Sequence, residues 1–297
     1  MRTSTWRAAA CAALLTAALA GPLGAQPGEA LSDVVFCRAG GVALTLDAYL
    51  PQAQAGAAPA VVYVHGGGWR GGDKAAISRW PVLPRLRERG YAVFSVNYRL
   101  APDFVFPAMI EDVKCAVRHL RANAAGYGVD PARIGAWGTS AGGHLVALLG
   151  TLDPGALEGD GGFEGFSICV QAVVDMYGPA DLPAMLDNAR SQAQLMQTVF
   201  GAGPEEVDVF ERASPVHWVT PGDAPVLMVH GELDATVPLS QSEAFLDALR
   251  GAGVPAELVV VDNAGHGFGA RNGPISPDLD QISRAVADFF DAWLRAP

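Results

Sequence analysis

The segment IGAWGTSAGGHLVALLG, residues Ile134 to Gly150, joins a short apolar run to a glycine-rich turn and then to a helical run. Its central residues Gly138 to Gly142 match the pattern G-x-S-x-G, with Ser140 in the middle. A serine at a sharp strand-to-helix turn is held in strained backbone geometry, and its hydroxyl projects from the end of the sheet as a nucleophile. The other interpretation is a glycine-rich turn whose serine only caps a helix, since both residue types are common in turns. The strand before this motif and the helix after it favour the nucleophile.

On either side of this segment, short apolar runs alternate with longer amphipathic stretches. This alternation predicts an α/β fold: a mostly parallel central sheet with right-handed crossovers and helices on both faces. The clearest helical stretches run from Pro107 to Ala125, from Ser240 to Arg250 and from Asp278 to Leu294. Six runs are typical of strands buried on both faces, namely Ala60 to His65, Ala92 to Asn97, Ile134 to Gly138, Cys169 to Tyr177, Pro225 to His230 and Ala256 to Val261.

The first residues differ from the rest of the chain. Arg2 and Arg7 precede an apolar run from Ala8 to Ala20, and small residues follow it. This pattern predicts a secretory signal peptide over residues 1–25 and a secreted or periplasmic protein. An uncleaved membrane anchor is the weaker interpretation, because the apolar run is too short to span a bilayer comfortably. The other residues, 26–297, are long enough for one large α/β domain.

Charge excludes some classes of partner. The chain carries a net charge of −11, and removal of residues 1–25 takes away two arginines and no acid, which gives −13. Such an acidic chain repels nucleic-acid phosphates, so we expect no nucleic-acid partner. A polyanionic substrate is also disfavoured, whereas neutral polymers and small esters remain open. Without its signal peptide the chain is expected to make no stable membrane association.

Three cysteines follow the predicted signal peptide, at Cys37, Cys115 and Cys169. None has C-x-x-C spacing, so the sequence contains no zinc or redox motif. One disulfide is possible in an oxidising compartment, although three thiols cannot all pair within the chain. We expect Cys115 and Cys169 to be ordinary buried residues, because free cysteine is among the most buried residue types.

A nucleophilic serine needs a base, and the base needs an orienting acid. In sheets of this kind ligands bind beyond the carboxyl ends of the strands, so the residues after each run are the candidates. Asp234 and His266 each follow a predicted strand by a few residues. The chain order serine, aspartate, histidine is the one that accompanies G-x-S-x-G. Glu232 and Asp262 are competing acids.

The stretch VVYVHGGGWRGGDK, from Val61 to Lys74, runs a buried strand into a glycine-rich loop. Acyl transfer needs hydrogen-bond donors for the oxygen that becomes negative in the transition state. We expect the backbone amides of the loop glycines and of the residue after the nucleophile to form this oxyanion hole, namely Gly66, Gly67, Gly68 and Ala141. The loop is not a phosphate-binding loop, because Asp73 stands where that motif requires lysine.

Together, HGGGW, GTSAGG, HGELDATVP and GHGF resemble the motifs of α/β-hydrolase-fold esterases in their order and spacing. The resemblance covers Val61 to the C-terminus. Within this fold, HGGG and SAGG are similar to the hormone-sensitive-lipase-like esterases, and HGGGW is similar to secreted carbohydrate and feruloyl esterases. The stretch HGELDATVP also resembles the catalytic domain of prolyl-oligopeptidase-type enzymes. Those peptidases carry a β-propeller upstream, and only about 35 residues separate the predicted signal peptide from the first predicted strand here, so a peptidase is disfavoured.

The resemblance implies Ser140 as the nucleophile, His266 as the general base and Asp234 as its orienting acid. It implies no metal and no organic cofactor. The implied reaction is hydrolysis of small-molecule or polymer-borne carboxylic esters, with short acyl, acetylated carbohydrate or feruloyl groups. Arylformamide or peptide hydrolysis, or a non-catalytic binding module of the same fold, are the alternatives.

The resemblance also suggests where substrate would lie. Residues 26–297 are expected to form a single catalytic domain, in which the irregular segment 155–213 is a lid or pocket wall. Three aromatic residues are candidates to stack on an aromatic acyl group or a sugar ring, although aromatic rings beside a cleft are equally often part of the core: Trp69, Tyr98 and Phe268.

Overall fold

The computed structural model describes residues 24–52, 56–186 and 190–295. These residues form an eight-stranded sheet in the order β1-β2-β4-β3-β5-β6-β7-β8. Strands β1, β2 and β4 pair antiparallel, and every pair from β4 through β8 is parallel. The predicted fold class is therefore confirmed. The strands are β1 (Ala30–Ala39), β2 (Val42–Tyr49), β3 (Ala58–Val64), β4 (Ala92–Val96), β5 (Val129–Thr139), β6 (Val173–Met176), β7 (Val226–Gly231) and β8 (Ala256–Val261).

Helices cover both faces of the sheet. Of the helices described, five span 11 residues or more, and two are short 3-10 helices. The helices are η1 (Lys74–Arg79), α1 (Val82–Glu88), α2 (Ala108–Ala122), α3 (Ala124–Tyr127), α4 (Ala141–Thr151), α5 (Leu182–Leu186), α6 (Arg190–Phe200), α7 (Val207–Arg212), α8 (Pro215–Trp218), α9 (Ser240–Gly251), η2 (His266–Phe268) and α10 (Leu279–Leu294).

Strand β3 shows how the two faces are filled. Successive side chains of a strand point to opposite faces, and β3 is apolar and buried along its whole length. Val62 and Val64 pack in the core that contains α2 and α4, whereas Val61 and Tyr63 pack in the second core with α1 and α10. A continuous apolar run is therefore stable here, because both faces of the strand are covered.

Two of the strand expectations are corrected by the structure. Strand β8 is not buried on both faces: it lies at the edge of the sheet, and Glu257 and Val260 are exposed. The hairpin of β1 and β2 was not anticipated. Its first strand mixes exposed polar and buried apolar residues over Ala30–Ala39, so it lacks the apolar run that marks the central strands.

The cysteines also depart in part from expectation. Cys37 of β1 and Cys115 of α2 form a disulfide, so Cys115 is buried but is not an ordinary thiol. The expectation failed because the bond joins the unanticipated hairpin to a helix 78 residues away in sequence. Cys169 is half-buried rather than buried.

The predicted signal peptide lies outside the described residues, apart from its last two positions. Within the part of the chain that is described, no helix combines the length and the apolar character that crossing a bilayer requires.

Candidate active site

Ser140 lies at the turn between β5 and α4, at the carboxyl edge of the sheet. Its backbone has φ 54° and ψ −120°, a strained conformation for a residue with a side chain. The Ser140 N–H donates to the carbonyl of Met176 at 2.8 Å, which ties the turn to the neighbouring strand. Gly142 allows α4 to start here, because a Cβ at this position would collide with the backbone carbonyl of Val64. The strained serine predicted from the sequence is therefore present in the structure.

His266 begins η2, in the loop that follows β8. Its Nε2 lies 2.9 Å from Ser140 Oγ, so it can accept the hydroxyl proton. Its Nδ1 lies 2.7 Å from Asp234 Oδ2 and can donate to that oxygen. The structure thus brings the three predicted residues together from three loops, in a continuous chain of hydrogen bonds.

Asp234 lies in the loop after β7 and is only 7% exposed. Its Oδ1 accepts the N–H groups of Thr236 at 2.8 Å and Val237 at 3.0 Å, which leaves Oδ2 for His266. Burial by itself raises the pKa of Asp234, but the imidazoles of His230 and His266 and the Val237 N–H outweigh burial and hold that pKa well below its usual range. The carboxyl group is therefore ionised at any pH where the protein is expected to work.

The competing acids do not reach His266. Glu232 and Asp262 are both exposed, and Glu232 accepts the N–H of Asn263 instead. His230 is fully buried and donates from Nε2 to the carbonyl of Val237 at 2.9 Å. Its distance of 3.6 Å from Asp234 Oδ2 is too long for a hydrogen bond, so His230 supports the loop rather than the proton pathway.

The loop of Gly66, Gly67 and Gly68 passes directly beside the nucleophile. A Cβ on Gly66 would lie 3.2 Å from Ser140 Cβ, and Gly67 has φ 126°, which favours glycine. Among the described residues, the N–H groups of Gly67 and Gly68 have no backbone acceptor. The N–H of Ala141, in the first turn of α4, has no partner within the helix. These amides are available to a substrate oxygen.

Two buried rings, those of His65 and Tyr98, hold this loop in place. His65 Nδ1 donates to the Gly66 carbonyl at 2.7 Å, and its ring stacks on Tyr98 at 4.4 Å between centroids. The Tyr98 hydroxyl donates to the His65 carbonyl at 3.0 Å.

A cleft of about 1170 Å³ opens in front of Ser140 and His266. The glycine loop and Trp69 line part of it. Another part of the lining, one wall, comes from η1 and the residues beside it. The lining also includes apolar side chains that the sequence did not single out: Pro179, Met185, Leu195, Met196 and Val237.

Part of the segment 155–213 therefore lines the cleft, and part does not. Pro179, Met185, Leu195 and Met196 supply apolar lining. The beginning of the segment instead packs against α2, where Glu158 pairs with Lys114 at 2.8 Å and with Arg118.

The aromatic candidates need correction. Trp69 lines the cleft but is only 4% exposed, and its Nε1 donates to His144 Nδ1 at 3.2 Å. Tyr98 and Phe268 are buried and do not line the cleft, so their rings belong to the core. The sequence missed Trp80 and Tyr177, which do line it. Tyr177 has a positive φ of 47°, a conformation that depends on the fold and that no spacing of residues in the sequence predicts.

Tyr177 lies against the catalytic histidine candidate. Its ring meets the ring of His266 edge to face, with 4.9 Å between centroids. The turn that carries Tyr177 is closed by the N–H of Gly178, which donates to Asp175 Oδ1 at 2.9 Å. Asp175 is fully buried, and burial raises its pKa to about 6. Its Oδ2 has no hydrogen-bond partner within the described part of the chain.

Comparison with known proteins identifies the family of the chain. Residues 46–249 match the family model BD-FAE. The esterase LipC of Mycobacterium tuberculosis is 36% identical over 248 residues, which are 78% of this chain and 60% of the relative. The chain thus spans less than two thirds of the length of that curated relative.

Solved structures cover the chain more fully. A truncated carbohydrate esterase from gut microbiota matches 93% of this chain and 100% of its own, with a TM-score of 0.80 and 30% identity. The esterase Est2 of Thermogutta terrifontis matches 90% of this chain and 92% of its own, with a TM-score of 0.73 and 29% identity. The chain therefore belongs to the BD-FAE family, within the serine esterases of the α/β-hydrolase fold.

Proposed function

We propose that this protein hydrolyses carboxylic esters through an acyl-enzyme on Ser140. The observation that carries the proposal is the chain of hydrogen bonds from Asp234 through His266 to Ser140 Oγ, at 2.7 Å and 2.9 Å. An ionised acid fixes the tautomer of the imidazole, and the imidazole lies within reach of the hydroxyl proton.

In the first half-reaction Ser140 Oγ attacks the ester carbonyl while His266 Nε2 takes the hydroxyl proton. The negative charge of Asp234 stabilises the resulting imidazolium. The tetrahedral intermediate collapses, and the alcohol leaves with the proton from His266. In the second half-reaction His266 takes a proton from water as the water oxygen attacks the acyl-enzyme. The second tetrahedral intermediate collapses, Ser140 Oγ leaves with the proton from His266, and the carboxylic acid and free Ser140 result.

The oxygen of the tetrahedral intermediate needs donors on the side opposite His266. The amides of Gly66, Gly67, Gly68 and Ala141 are the proposed source. The loop and the first turn of α4 meet at Ser140, and loss of one such donor typically costs a hundredfold or more in turnover, roughly 3 kcal/mol.

For the substrate we propose a short acyl group carried on a larger alcohol such as a carbohydrate. The carbohydrate esterase of gut microbiota is similar in structure over the whole of its own chain and over 93% of this chain. The Thermogutta terrifontis enzyme has been solved with propionate and with butyrate bound. The cleft of about 1170 Å³ is far larger than such acyl groups, which leaves space for a bulky alcohol.

We further propose that the protein works outside the cytoplasm, after removal of residues 1–25 as a signal peptide. The disulfide between Cys37 and Cys115 supports this, because disulfides persist in oxidising compartments.

The test uses purified chain that begins near Gln26, assayed on para-nitrophenyl acetate, para-nitrophenyl butyrate, methyl ferulate and acetylated xylan. Wild type is expected to hydrolyse at least one ester, and Ser140→Ala to lose activity by several orders of magnitude. Formylated arylamines and peptides are assayed beside them to test the two other reactions of this fold. Wild type that is inert on every ester, or a Ser140→Ala variant as active as wild type, would contradict the proposal, and the first outcome would favour a binding module.

A further inference from the structure

One wall of the cleft is formed by η1 and its flanking residues. This η1 wall consists of Asp73, Ala75, Ala76, Ser78, Arg79 and Trp80. Three of its side chains are small, those of Ala75, Ala76 and Ser78. Arg79 is the last residue of η1 and has the longest side chain of this wall.

The backbone of the η1 wall is firmly anchored. Lys74 is buried at its start and pairs with Asp33 at 2.9 Å and Asp47 at 3.1 Å. Ile77 is fully buried in the core beneath it. Trp80 follows its last residue and packs edge to face on Phe268, with 6.0 Å between centroids. Arg79 therefore lies between the buried Ile77 and the half-buried Trp80, which fix the backbone that carries it, and a binding group requires such a fixed position.

Two charged side chains belong to the η1 wall, and they differ in what they contact. Asp73 accepts the N–H of Ala75 at 2.8 Å and the side-chain amide of Asn97 at 3.0 Å. These bonds lower the pKa of Asp73 and occupy its oxygens. Arg79 is exposed and makes no ion pair with any described residue, although the chain as a whole is acidic. Its five N–H donors are thus available to a ligand.

Arg79 lines the same cleft as Tyr63 and Ser140. Burial raises the pKa of Tyr63, and the positive charge of Arg79 opposes that rise, so the two groups are within electrostatic reach. The Tyr63 hydroxyl lies 3.2 Å from Thr139 Oγ1, on the residue before Ser140. Asp73 is at the opposite end of the 3-10 helix, roughly 12 Å away along its axis, so salt screens its effect on an anion at Arg79.

We infer that Arg79 binds a carboxylate of the substrate, and that this protein prefers esters that carry one carboxylate near the scissile bond. A uronic acid sugar acylated on a hydroxyl group and a hydroxybenzoic acid acylated on its phenol both keep a free carboxylate and have this chemistry. One local cation can select a single carboxylate, whereas the acidic surface still repels a polyanion. This inference rests on the proposed function and adds a substrate class to it.

The test compares two matched pairs of esters. In the first pair the charge is on the alcohol part: para-acetoxybenzoate against the neutral para-acetoxybenzamide. In the second it is on the acyl part: the para-nitrophenyl half-ester of succinic acid against para-nitrophenyl butyrate. For each pair the ratio of kcat/KM for the charged and the neutral ester is measured in wild type, Arg79→Gln and Arg70→Gln. Arg70 is the matched control, because it is exposed on the neighbouring loop and does not line the cleft.

In at least one pair, Arg79→Gln is expected to lower the ratio about five- to tenfold, as loss of a charge-assisted contact at an exposed site predicts. Arg70→Gln is expected to leave the ratio unchanged, and added salt to lower it in wild type. The pair that responds identifies which part of the substrate carries the carboxylate.

The inference is overturned if Arg79→Gln leaves both ratios at their wild-type values. An equal fall of the ratio in Arg70→Gln would also overturn it. The preference would then come from the overall electrostatic field of the protein rather than from a contact with Arg79. If wild type hydrolyses none of these four esters and none of the panel used to test the proposed function, the proposed function itself fails. Hydrolysis that depends on Ser140 with unchanged ratios would retain the proposed function and refute only the role of Arg79.

Discussion

The carboxylate of Asp234 has a partner for each of its oxygens: two backbone N–H groups for Oδ1 and the Nδ1 of His266 for Oδ2. This division has a functional consequence, because the loop contacts fix the acid and the free oxygen then fixes the ring of His266. The loop therefore fixes the Asp234 side chain independently of its contact with His266.

Asp234→Asn is expected to lower kcat by about a thousandfold or more, because an amide no longer enforces the tautomer in which Nε2 accepts the proton of Ser140. The fold should survive, since the amide oxygen still accepts the N–H groups of Thr236 and Val237. The measurement is kcat on para-nitrophenyl acetate together with thermal unfolding. Glu232→Gln is the control and should stay within a factor of about two, as expected for an exposed surface residue. Equal losses in the two variants would show that the wrong acid has been identified.

The end of β6 connects the buried carboxyl group of Asp175 to the ring of His266. Asp175 closes the turn through Gly178, the turn holds Tyr177, and Tyr177 packs on His266. None of these residues touches the reacting atoms in the proposed mechanism, so their role is positioning.

Asp175→Ala is therefore expected to lower kcat roughly tenfold or more, with a smaller change in KM, because the turn loses its acceptor and misplacement near a catalytic group is costly. Asp175→Asn keeps an acceptor for the Gly178 N–H and should recover most of that loss. Steady-state kinetics of both variants on one ester checks this. Equal activity of the alanine and asparagine variants would contradict the positioning role.

The sequence predicted the strands and helices that have a regular local pattern, and it missed features that depend on neighbouring elements of the fold. The strands β3, β4 and β7 and the part of β5 from Ile134 onward are mostly apolar runs, and the three amphipathic helices follow a regular spacing, so both were identifiable. The β1–β2 hairpin was missed because its alternation is partly polar. The edge position of β8 was missed because Ala256–Val261 is as apolar as a central strand, and strand order is not encoded in local pattern.

The same contrast applies to the site. Ser140, Asp234 and His266 lie in motifs whose glycines and strand ends can be recognised locally. The wrong assignments, Tyr98 and Phe268, are aromatic rings near motifs, and sequence cannot tell whether a ring faces a cleft or the core. Arg79 and Tyr177 reach the cleft only because η1 and β6 bring them there.

The disulfide between Cys37 and Cys115 joins the first hairpin to α2, and the two cysteines are 78 residues apart in the sequence. Cys37→Ser is expected to destabilise the fold by about 2–4 kcal/mol, because the unfolded chain is no longer constrained by the closed loop. Thermal unfolding with and without reductant measures this. Reductant should lower the Tm of wild type and leave that of Cys37→Ser unchanged, while Cys169→Ser should respond as wild type does. Wild type that is insensitive to reductant under conditions that reduce the bond would contradict the expectation.

Stability should also depend on pH through two buried histidines. Burial lowers the pKa of His119 and His144 to about 4. Between the usual value near 6.5 and about 4, the unfolded chain binds a proton that the folded state does not, so unfolding becomes more favourable as pH falls through this window. Burial raises the pKa of Asp175 to about 6, which works in the opposite direction and offsets part of the loss.

We therefore expect the urea midpoint of wild type to fall between pH 7 and pH 5, with roughly 1–2 kcal/mol of the loss due to each histidine. His119→Gln removes one of these titrating groups and should lose correspondingly less stability over the same interval. A variant with the same pH dependence as wild type would show that His119 titrates alike in both states.

The most direct test of the central claim is covalent capture of the nucleophile. Wild type is treated with paraoxon, which phosphorylates activated serines, and the modified peptide is identified by mass spectrometry. The account predicts a single adduct on Ser140, loss of ester hydrolysis in step with its formation, and no adduct in Ser140→Ala. An adduct on another residue that abolishes activity, or full phosphorylation of Ser140 with ester hydrolysis intact, would contradict it.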